Sequence, residues 1–146
     1  MEIIIREIET TDYLALLPLW NNELGNRNVT AENISLYYDK IKDDDRYKTY
    51  VALLEDEVVG FVSSAQTYAV GFDGSYMQII GIAVKEEKHN KGIGTKLIQR
   101  MEDYAREKGC YGIGVCSGLK RTDAHAFYER NGFDKGSFAF NKTLFQ

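Results

Sequence analysis

The sequence predicts an α+β fold, with a mixed, mostly antiparallel sheet of about six to seven strands, one parallel β-α-β crossover and flanking helices. Three observations predict it. Short segments rich in Val, Ile, Tyr and Phe recur along the chain, one strongly amphipathic helical stretch separates two of them, and the single proline argues against a proline-rich linker. A chain of 146 residues is expected to form one domain over residues 1–146.

The first half predicts a strand followed by two helices. Residues 2–8 favour a strand, and Thr10 or Thr11 is a candidate cap for a helix that Pro18 must kink or shorten. After the Asn/Gly-rich loop, Thr30 is a candidate cap for the second helix.

The second half predicts the sheet and the crossover. Residues 47–54 and 58–68 flank the polar break 55–57 and predict an antiparallel hairpin, and residues 76–84 form a third apolar strand. Helical spacing over 92–108 predicts a long amphipathic helix with Gly109 as its stop. The remaining predicted elements are a strand over 111–116, a short helix over 123–130 closed by Gly132, and aromatic-rich strands over 133–145 split near Gly136.

Composition argues against several classes of partner. The net charge is −4 and the two signs alternate along the chain, so we expect no nucleic-acid partner. Cys110 and Cys116 lack a CxxC pair or a metal-ligand spacing, which predicts free thiols and no metal. The start of the chain lacks the pattern of a signal peptide, and no apolar run reaches the roughly 20 residues that span a bilayer. We therefore expect a cytoplasmic protein without a membrane partner.

The segment His89-Asn90-Lys91-Gly92-Ile93-Gly94-Thr95 lies between an apolar strand and the amphipathic helix. Glycines at 92 and 94 allow a ligand to approach the backbone, and the first amides of a helix have no partner within it. These amides and the helix dipole favour a phosphate group. The alternative is a tight strand-to-helix turn with no ligand, because neither a Walker A loop nor a dinucleotide fingerprint is present.

Two motifs together resemble the GNAT superfamily of N-acetyltransferases. The first is Ile82-Ala83-Val84 followed by the glycine segment, with His89 where Gln or Arg is usual; the second is Ala124 to Phe133, a short helix with a Tyr ahead of Gly-Phe. The resemblance implies acetyl-CoA as donor, backbone amides of 91–95 on its pyrophosphate, and strand-like pairing of its pantetheine arm at Ile82 and Val84. The residues that it assigns to the donor are Ile82, Ala83, Val84, His89, Asn90, Lys91, Gly92, Ile93, Gly94 and Thr95. Arg121 stands about where the family often has an Asn that contacts the cofactor arm, and we expect it to reach a cofactor phosphate instead.

The resemblance further implies direct transfer of the acetyl group to a primary amine within a ternary complex. Tyr128 is the expected general acid, since a tyrosine is protonated at neutral pH and donates to the departing thiolate. The segment Ser75 to Val84 contains no carboxylate, so the general base is left open. The candidates are Tyr76, Gln78 and Ser117, which would orient a water, and Asp73 and Glu23, which would approach from loops.

Other interpretations remain open from the sequence. A non-catalytic acyl-CoA sensor of the same fold, or an unrelated nucleotide-binding domain, would also use the glycine segment. We expect a structural role for His125 and a buried position for Cys116. The acceptor, a small molecule or a peptide amine, is expected to contact loops near 21–30 and 131–141. Phe138 and Phe140 would line its pocket or form the seam of a homodimer.

Overall fold

The computed structural model describes residues 2–26 and 28–145, so Arg27, within the loop expected at the acceptor, lies outside the described residues. The chain divides into two compact units, Met1–Val115 and Cys116–Gln146. We call them the N-terminal and C-terminal units and describe each by itself.

A five-stranded sheet forms the centre of the N-terminal unit. Its strands are β1 (Ile3–Glu7), β2 (Tyr47–Leu54), β3 (Glu57–Ala69), β4 (Gly74–Val84) and β5 (Ile113–Val115). They lie in the order β1-β2-β3-β4-β5, antiparallel up to β4, while β4 and β5 are parallel. The predicted mixed sheet with one parallel crossover is confirmed.

The hairpin between β2 and β3 follows from its turn residues. Leu54 pairs with Glu57, so only Glu55 and Asp56 connect the strands, and both have positive φ, 52° and 65°. Two successive positive φ values define the type I′ turn, whose twist matches that of the flanking strands. The turn therefore sets the register as far as the pair Leu53 and Val58, and a bulge at Val59 shifts it for the rest of the hairpin.

The three α-helices are α1 (Ala31–Ile41), α2 (Ile93–Glu107) and α3 (Thr122–Arg130). Thr30 caps α1 as predicted: its hydroxyl accepts from the Asn33 N–H at 3.1 Å, and the Asn33 side chain accepts from the Thr30 N–H at 2.9 Å. Gly109 follows α2 with φ +73°, the left-handed conformation that ends a helix.

The helix predicted after β1 is irregular. It is a 3-10 helix over Thr10–Leu16 followed by a π-helical turn over Leu19–Glu23. Pro18, between them, has no N–H to donate, so the regular ladder is interrupted there as expected. The predicted cap was wrong: Glu9 precedes the helix, and its N–H is bound by the Asp12 carboxylate at 2.8 Å.

Two layers cover the sheet. On one face α1 and the irregular helices pack their apolar side chains in a core that includes Leu16, Leu19, Tyr38 and Phe61. On α2, the buried residues Ile93, Leu97, Ile98, Met101 and Ala105 have the helical spacing that the sequence predicted.

The strand count of six to seven was too high, because residues 133–145 form no strand. Phe138 and Phe140 are 78% and 93% exposed. Aromatic residues favour strands because their side chains pack on a half-buried sheet surface. Exposed aromatic side chains have no such surface to pack on, so they do not stabilise a strand. Among the described residues, no helix is both long and apolar enough to cross a bilayer.

Candidate active site

The glycine segment forms the start of α2. Gly92 precedes the helix with φ +81°, and no side chain caps the helix there. The first bond of the helix ladder runs from the Lys96 N–H to the Gly92 carbonyl at 3.1 Å. The amides of Ile93, Gly94 and Thr95 therefore precede the ladder and are available to an anion.

The charges around this helix start suit an anionic ligand. The first turn of α2, described throughout, contains no acidic side chain. Lys91 and Lys96 are both exposed beside it. Because the positive end of a helix dipole favours carboxylates in the first turn, lysines there are unfavourable for the isolated helix. They become favourable when a phosphate binds between them.

Gly94 has no conformational reason to be glycine. It lies within the first turn of α2, and its φ angle is not positive, unlike that of Gly92. A helical glycine costs roughly 0.5–1 kcal/mol relative to alanine. The missing side chain leaves the backbone of the first turn open to close approach by another group.

The end of β4 has a free edge on the side away from β3. The pairing of β4 with β5 ends at Ile79 and Val115. A register shift between Ser63 and Ser64 leaves Ile80 of β4 without a counterpart, which is a β-bulge. Such a bulge bends the strand, and β4 continues beyond it to Val84 without β5 beside it.

The hydrogen-bond pattern shows which groups of this edge are free of β3. The Lys85 N–H donates to the Val59 carbonyl at 2.8 Å, which makes Gly60 and Val84 a non-hydrogen-bonded pair. By alternation, Ile82 also directs its N–H and carbonyl outward, whereas those of Ala83 face Phe61. Ile82 and Val84 are thus placed for strand-like pairing, and Ala83, whose side chain is in the core, is turned away.

His89 contacts this edge directly. Its Nε2 lies 2.8 Å from the Val84 carbonyl oxygen, a distance at which the ring N–H donates to that oxygen. The Val84 carbonyl is therefore already engaged, while Ile82 keeps both groups. Asn90, next in the chain, has φ +65° and turns the segment toward Gly92. The hydrogen bond from the imidazole thus holds the glycine segment next to the end of β4.

Tyr128 lies at the C-terminal end of α3 in the C-terminal unit. The Phe133 N–H donates to the Tyr128 carbonyl at 3.0 Å, and the Gly132 N–H donates to the Glu129 carbonyl at 3.1 Å. With Gly132 at φ +90°, these two bonds form a Schellman motif. Its apolar contact brings the Phe133 ring to 5.7 Å from the Tyr128 ring. Gly132 and Phe133, the Gly-Phe pair of the second motif, therefore fix the position of the tyrosine ring.

Burial raises the pKa of the Tyr128 phenol above its ordinary value, and the Arg121 guanidinium only partly offsets this. The phenol thus keeps its proton throughout the neutral range. Arg121, directly before α3, is exposed and available to an anion.

Other candidates have defined surroundings. His125 Nε2 lies 2.8 Å from the Gly118 carbonyl, so the ring braces the start of α3, the structural role that was expected. Cys110 and Cys116 are free thiols as predicted, but Cys116 is exposed and not buried. It follows the end of β5, where the chain leaves the sheet and neighbouring strands no longer cover it. The Ser117 hydroxyl is buried without a partner among the described residues.

Four of the five candidates for the base lie at separate places in the N-terminal unit, and Ser117 belongs to the C-terminal unit. The Tyr76 hydroxyl donates to Gln78 Oε1 at 3.2 Å on β4. Asp73 ends the turn before β4 with φ +53°. The Glu23 carboxylate lies 3.4 Å from the Glu86 N–H, beyond the other end of that strand.

Comparison with known proteins identifies this type of fold. A transcriptional regulator from Bacillus halodurans superposes with a TM-score of 0.89 at 23% identity, covering 98% of this chain and 100% of that one. AAC(6')-Iy, solved with a bisubstrate analog, CoA-S-monomethyl-acetylneamine, superposes with a TM-score of 0.86 at 17% identity, with both chains fully covered. At these identities the likeness establishes the fold.

The family follows from the sequence itself. Residues 6–133 match the model of the acetyltransferase (GNAT) family, so the chain belongs to that family of acyltransferases. The aminoalkylphosphonate N-acetyltransferase of Salmonella typhimurium is 31% identical over 94 residues, 64% of this chain. The matched region spans 61% of the length of that relative.

Proposed function

We propose that the protein transfers the acetyl group of acetyl-CoA directly to a primary amine within a ternary complex. The observation that carries the proposal is the uncapped start of α2 next to the free edge of β4, with His89 joining them through the Val84 carbonyl. A ligand that fits both features needs a diphosphate and an amide-bearing arm. Coenzyme A has both.

In the proposed complex each group of the donor has a partner. The diphosphate accepts from the amides that begin α2, between Lys91 and Lys96. The pantetheine amides pair with Ile82 and with the Val84 N–H, as an added strand does. The arm then runs along β4 toward the bulge at Ile80 and delivers the thioester there.

The chemistry is acyl transfer between sulfur and nitrogen. The neutral amine attacks the thioester carbonyl and forms the C–N bond of a tetrahedral intermediate. Its nitrogen loses one proton to the base or to a water, and the intermediate then collapses as its C–S bond breaks. Tyr128 is proposed to donate its proton to the departing sulfur. The raised pKa of its phenol supports this role because the proton is present at neutral pH.

Two comparisons support a small-molecule amine as acceptor. The relative from Salmonella typhimurium is named for aminoalkylphosphonates, and the analog bound to AAC(6')-Iy joins CoA to an acetylneamine. A peptide amine is the other acceptor compatible with the chemistry.

The test measures thiol release from acetyl-CoA against a panel of primary amines, with Tyr128→Phe as variant and Tyr68→Phe, 67% exposed on β3, as matched control. We expect kcat to fall about 10²–10⁴-fold for Tyr128→Phe and to stay unchanged for Tyr68→Phe. Unchanged turnover in the first variant would remove Tyr128 from the mechanism. Coenzyme A binding with no transfer to any amine would favour the sensor.

A homodimer is the assembly we propose. The C-terminal unit exposes the large apolar side chains of Phe138, Phe140, Leu144 and Phe145, and a partner that covers them would bury apolar area. Sedimentation should report a dimer for the wild type and a monomer for Phe140→Asp. Leu119→Asp, 82% exposed outside this segment, is the control and should leave the mass unchanged.

A further inference from the structure

Trp20 lies on β4 at the point where the strand bends. An ideal Cβ on Gly81 would come within 2.6 Å of the Cη2 atom of the indole and 3.1 Å of two further ring carbons. Cβ atoms essentially never lie within 3.0 Å of another heavy atom, so any residue other than glycine at 81 would displace the indole. Gly81 is adjacent to Ile80, the bulged residue.

The indole is held in this position by buried polar groups. Its Nε1–H donates to the Tyr38 hydroxyl at 3.2 Å, and that hydroxyl is 3.0 Å from the Ser63 hydroxyl. Ser63 is in turn 3.0 Å from the Thr49 hydroxyl. Tyr38, Ser63 and Thr49 are all buried, and buried networks whose members are satisfied are rigid. The ring of Phe61 also lies 5.1 Å from the indole.

The backbone of Trp20 is also fixed. Its carbonyl accepts from the Asn26 N–H at 3.1 Å and from the Asn26 side-chain amide at 3.3 Å. The residue is nevertheless only half-buried. A rigid, partly exposed aromatic ring beside a strand edge is suited to contact a ligand.

The position of the ring relative to the donor gives it a function, and this step rests on the proposed function. The pantetheine arm, paired at Val84 and Ile82, reaches the bulge at Ile80 with its thioester. Trp20 covers Gly81, one residue from that point, on the face of the sheet that carries Gln78. An amine that attacks the thioester from this face must pass the indole.

We propose that Trp20 is a specificity-determining residue that selects unbranched primary amines, in which the nitrogen is attached to a CH₂ group. The ring occupies the space beside the attacking nitrogen that a substituent on the adjacent carbon would need. Straight-chain amines reach the thioester past the ring, and amines branched at that carbon collide with it. Removal of the ring therefore changes the choice of acceptor and leaves donor binding intact.

The test compares straight-chain primary amines with isomers branched next to nitrogen, such as butylamine and 2-aminobutane, by their kcat/KM for acetyl transfer. We expect the wild type to favour the straight isomer by roughly 10–200-fold, the range for one methyl group in a fitted pocket. Trp20→Ala should lower the ratio to near one, and Trp20→Phe to an intermediate value. The dissociation constant of coenzyme A should stay within twofold of the wild type.

Two further variants separate positioning from general damage. Tyr38→Phe keeps the phenyl ring but removes the acceptor of the indole N–H, so the ratio should fall partway. Leu14→Ala, 59% exposed in the preceding helical segment, should leave it unchanged. Transfer with the same isomer ratio in Trp20→Ala and the wild type would overturn the inference alone. A wild type that transfers to no amine would overturn the proposed function and this inference with it.

Discussion

Replacement of Gly94 by alanine should make the protein more stable and its binding of coenzyme A weaker. These two effects seldom occur together, because a substitution that damages a binding site usually costs stability as well. The backbone of Gly94 is helical and needs no glycine. A methyl group at this position favours the helix but would stand between the amides that begin α2 and the diphosphate that we propose to bind there.

The magnitudes follow from helix propensity and from charged hydrogen bonds. Glycine to alanine within a helix contributes about 0.5–1 kcal/mol, which raises Tm by about 1–4 °C for a chain of this size. A hydrogen bond to a charged group contributes about 1.5–3 kcal/mol. The loss of one such bond to the diphosphate therefore raises Kd by roughly 10–150-fold.

Two assays measure the two effects independently. Thermal unfolding of the free protein gives Tm, and calorimetric titration with coenzyme A gives Kd. Gly71→Ala is the matched control, since Gly71 lies in the loop before β4 with open space around a Cβ and without positive φ. It should also stabilise the protein slightly and should not change Kd.

Gly92→Ala provides the contrasting case. Its φ of +81° strains any residue with a Cβ by about 1–2 kcal/mol, so this variant should lose stability and affinity together. A Kd for Gly94→Ala within twofold of the wild type would refute the placement of the diphosphate at this helix start, whatever the change in Tm.

Three further predictions concern pH. Because burial raises the pKa of Tyr128, the alkaline fall in kcat should lie above the ordinary tyrosine value of about 10 and should be absent in Tyr128→Phe. Burial also raises the pKa of Tyr38 to about 12, so its contribution to stability is complete below about pH 10 and is lost as pH rises toward 12. In urea unfolding, Tyr38→Phe should lose less stability over that pH range than the wild type. At neutral pH its free energy of unfolding should be about 1–2 kcal/mol lower. Burial opposes ionisation of Asp12, but the hydrogen bond from Arg6, the Glu9 N–H and the Arg6 charge together hold its pKa below the ordinary value, so this contribution is present above about pH 4 and is lost as pH falls further. Arg6→Leu should therefore lower the free energy of unfolding by about 1.5–3 kcal/mol at neutral pH and by less at pH 3, and an equal loss at both values would contradict the assignment.

Elements with strong local signals were predictable. The spacing of Ile93, Leu97 and Met101 predicted α2, and Thr30 and Gly109 marked helix ends, because capping depends on neighbours in sequence. The Gly-Phe pair of the second motif was recognised as a pattern. The structure shows its physical role, which is to form the Schellman motif that fixes Tyr128.

Elements that depend on distant partners were not predictable. The aromatic residues over 133–145 predicted strands that did not form, because a strand requires a partner with free hydrogen-bonding groups as well as suitable side chains. The contact of Trp20 with Gly81 joins residues 61 positions apart and had no sequence signal, since a glycine within a strand is compatible with several causes.

The sequence by itself determined the class of fold and the order of its elements as far as α3, since these depend on hydrophobic period, caps and glycines within a few residues of one another. It also predicted a phosphate site in the segment 89–95, and that remains a prediction. Only the tertiary structure decided which backbone groups of β4 are free, how His89 engages the Val84 carbonyl and which side chain covers the bulge. Strand register and the packing across a sheet are set by long-range pairing, and a linear pattern does not specify which distant residues meet.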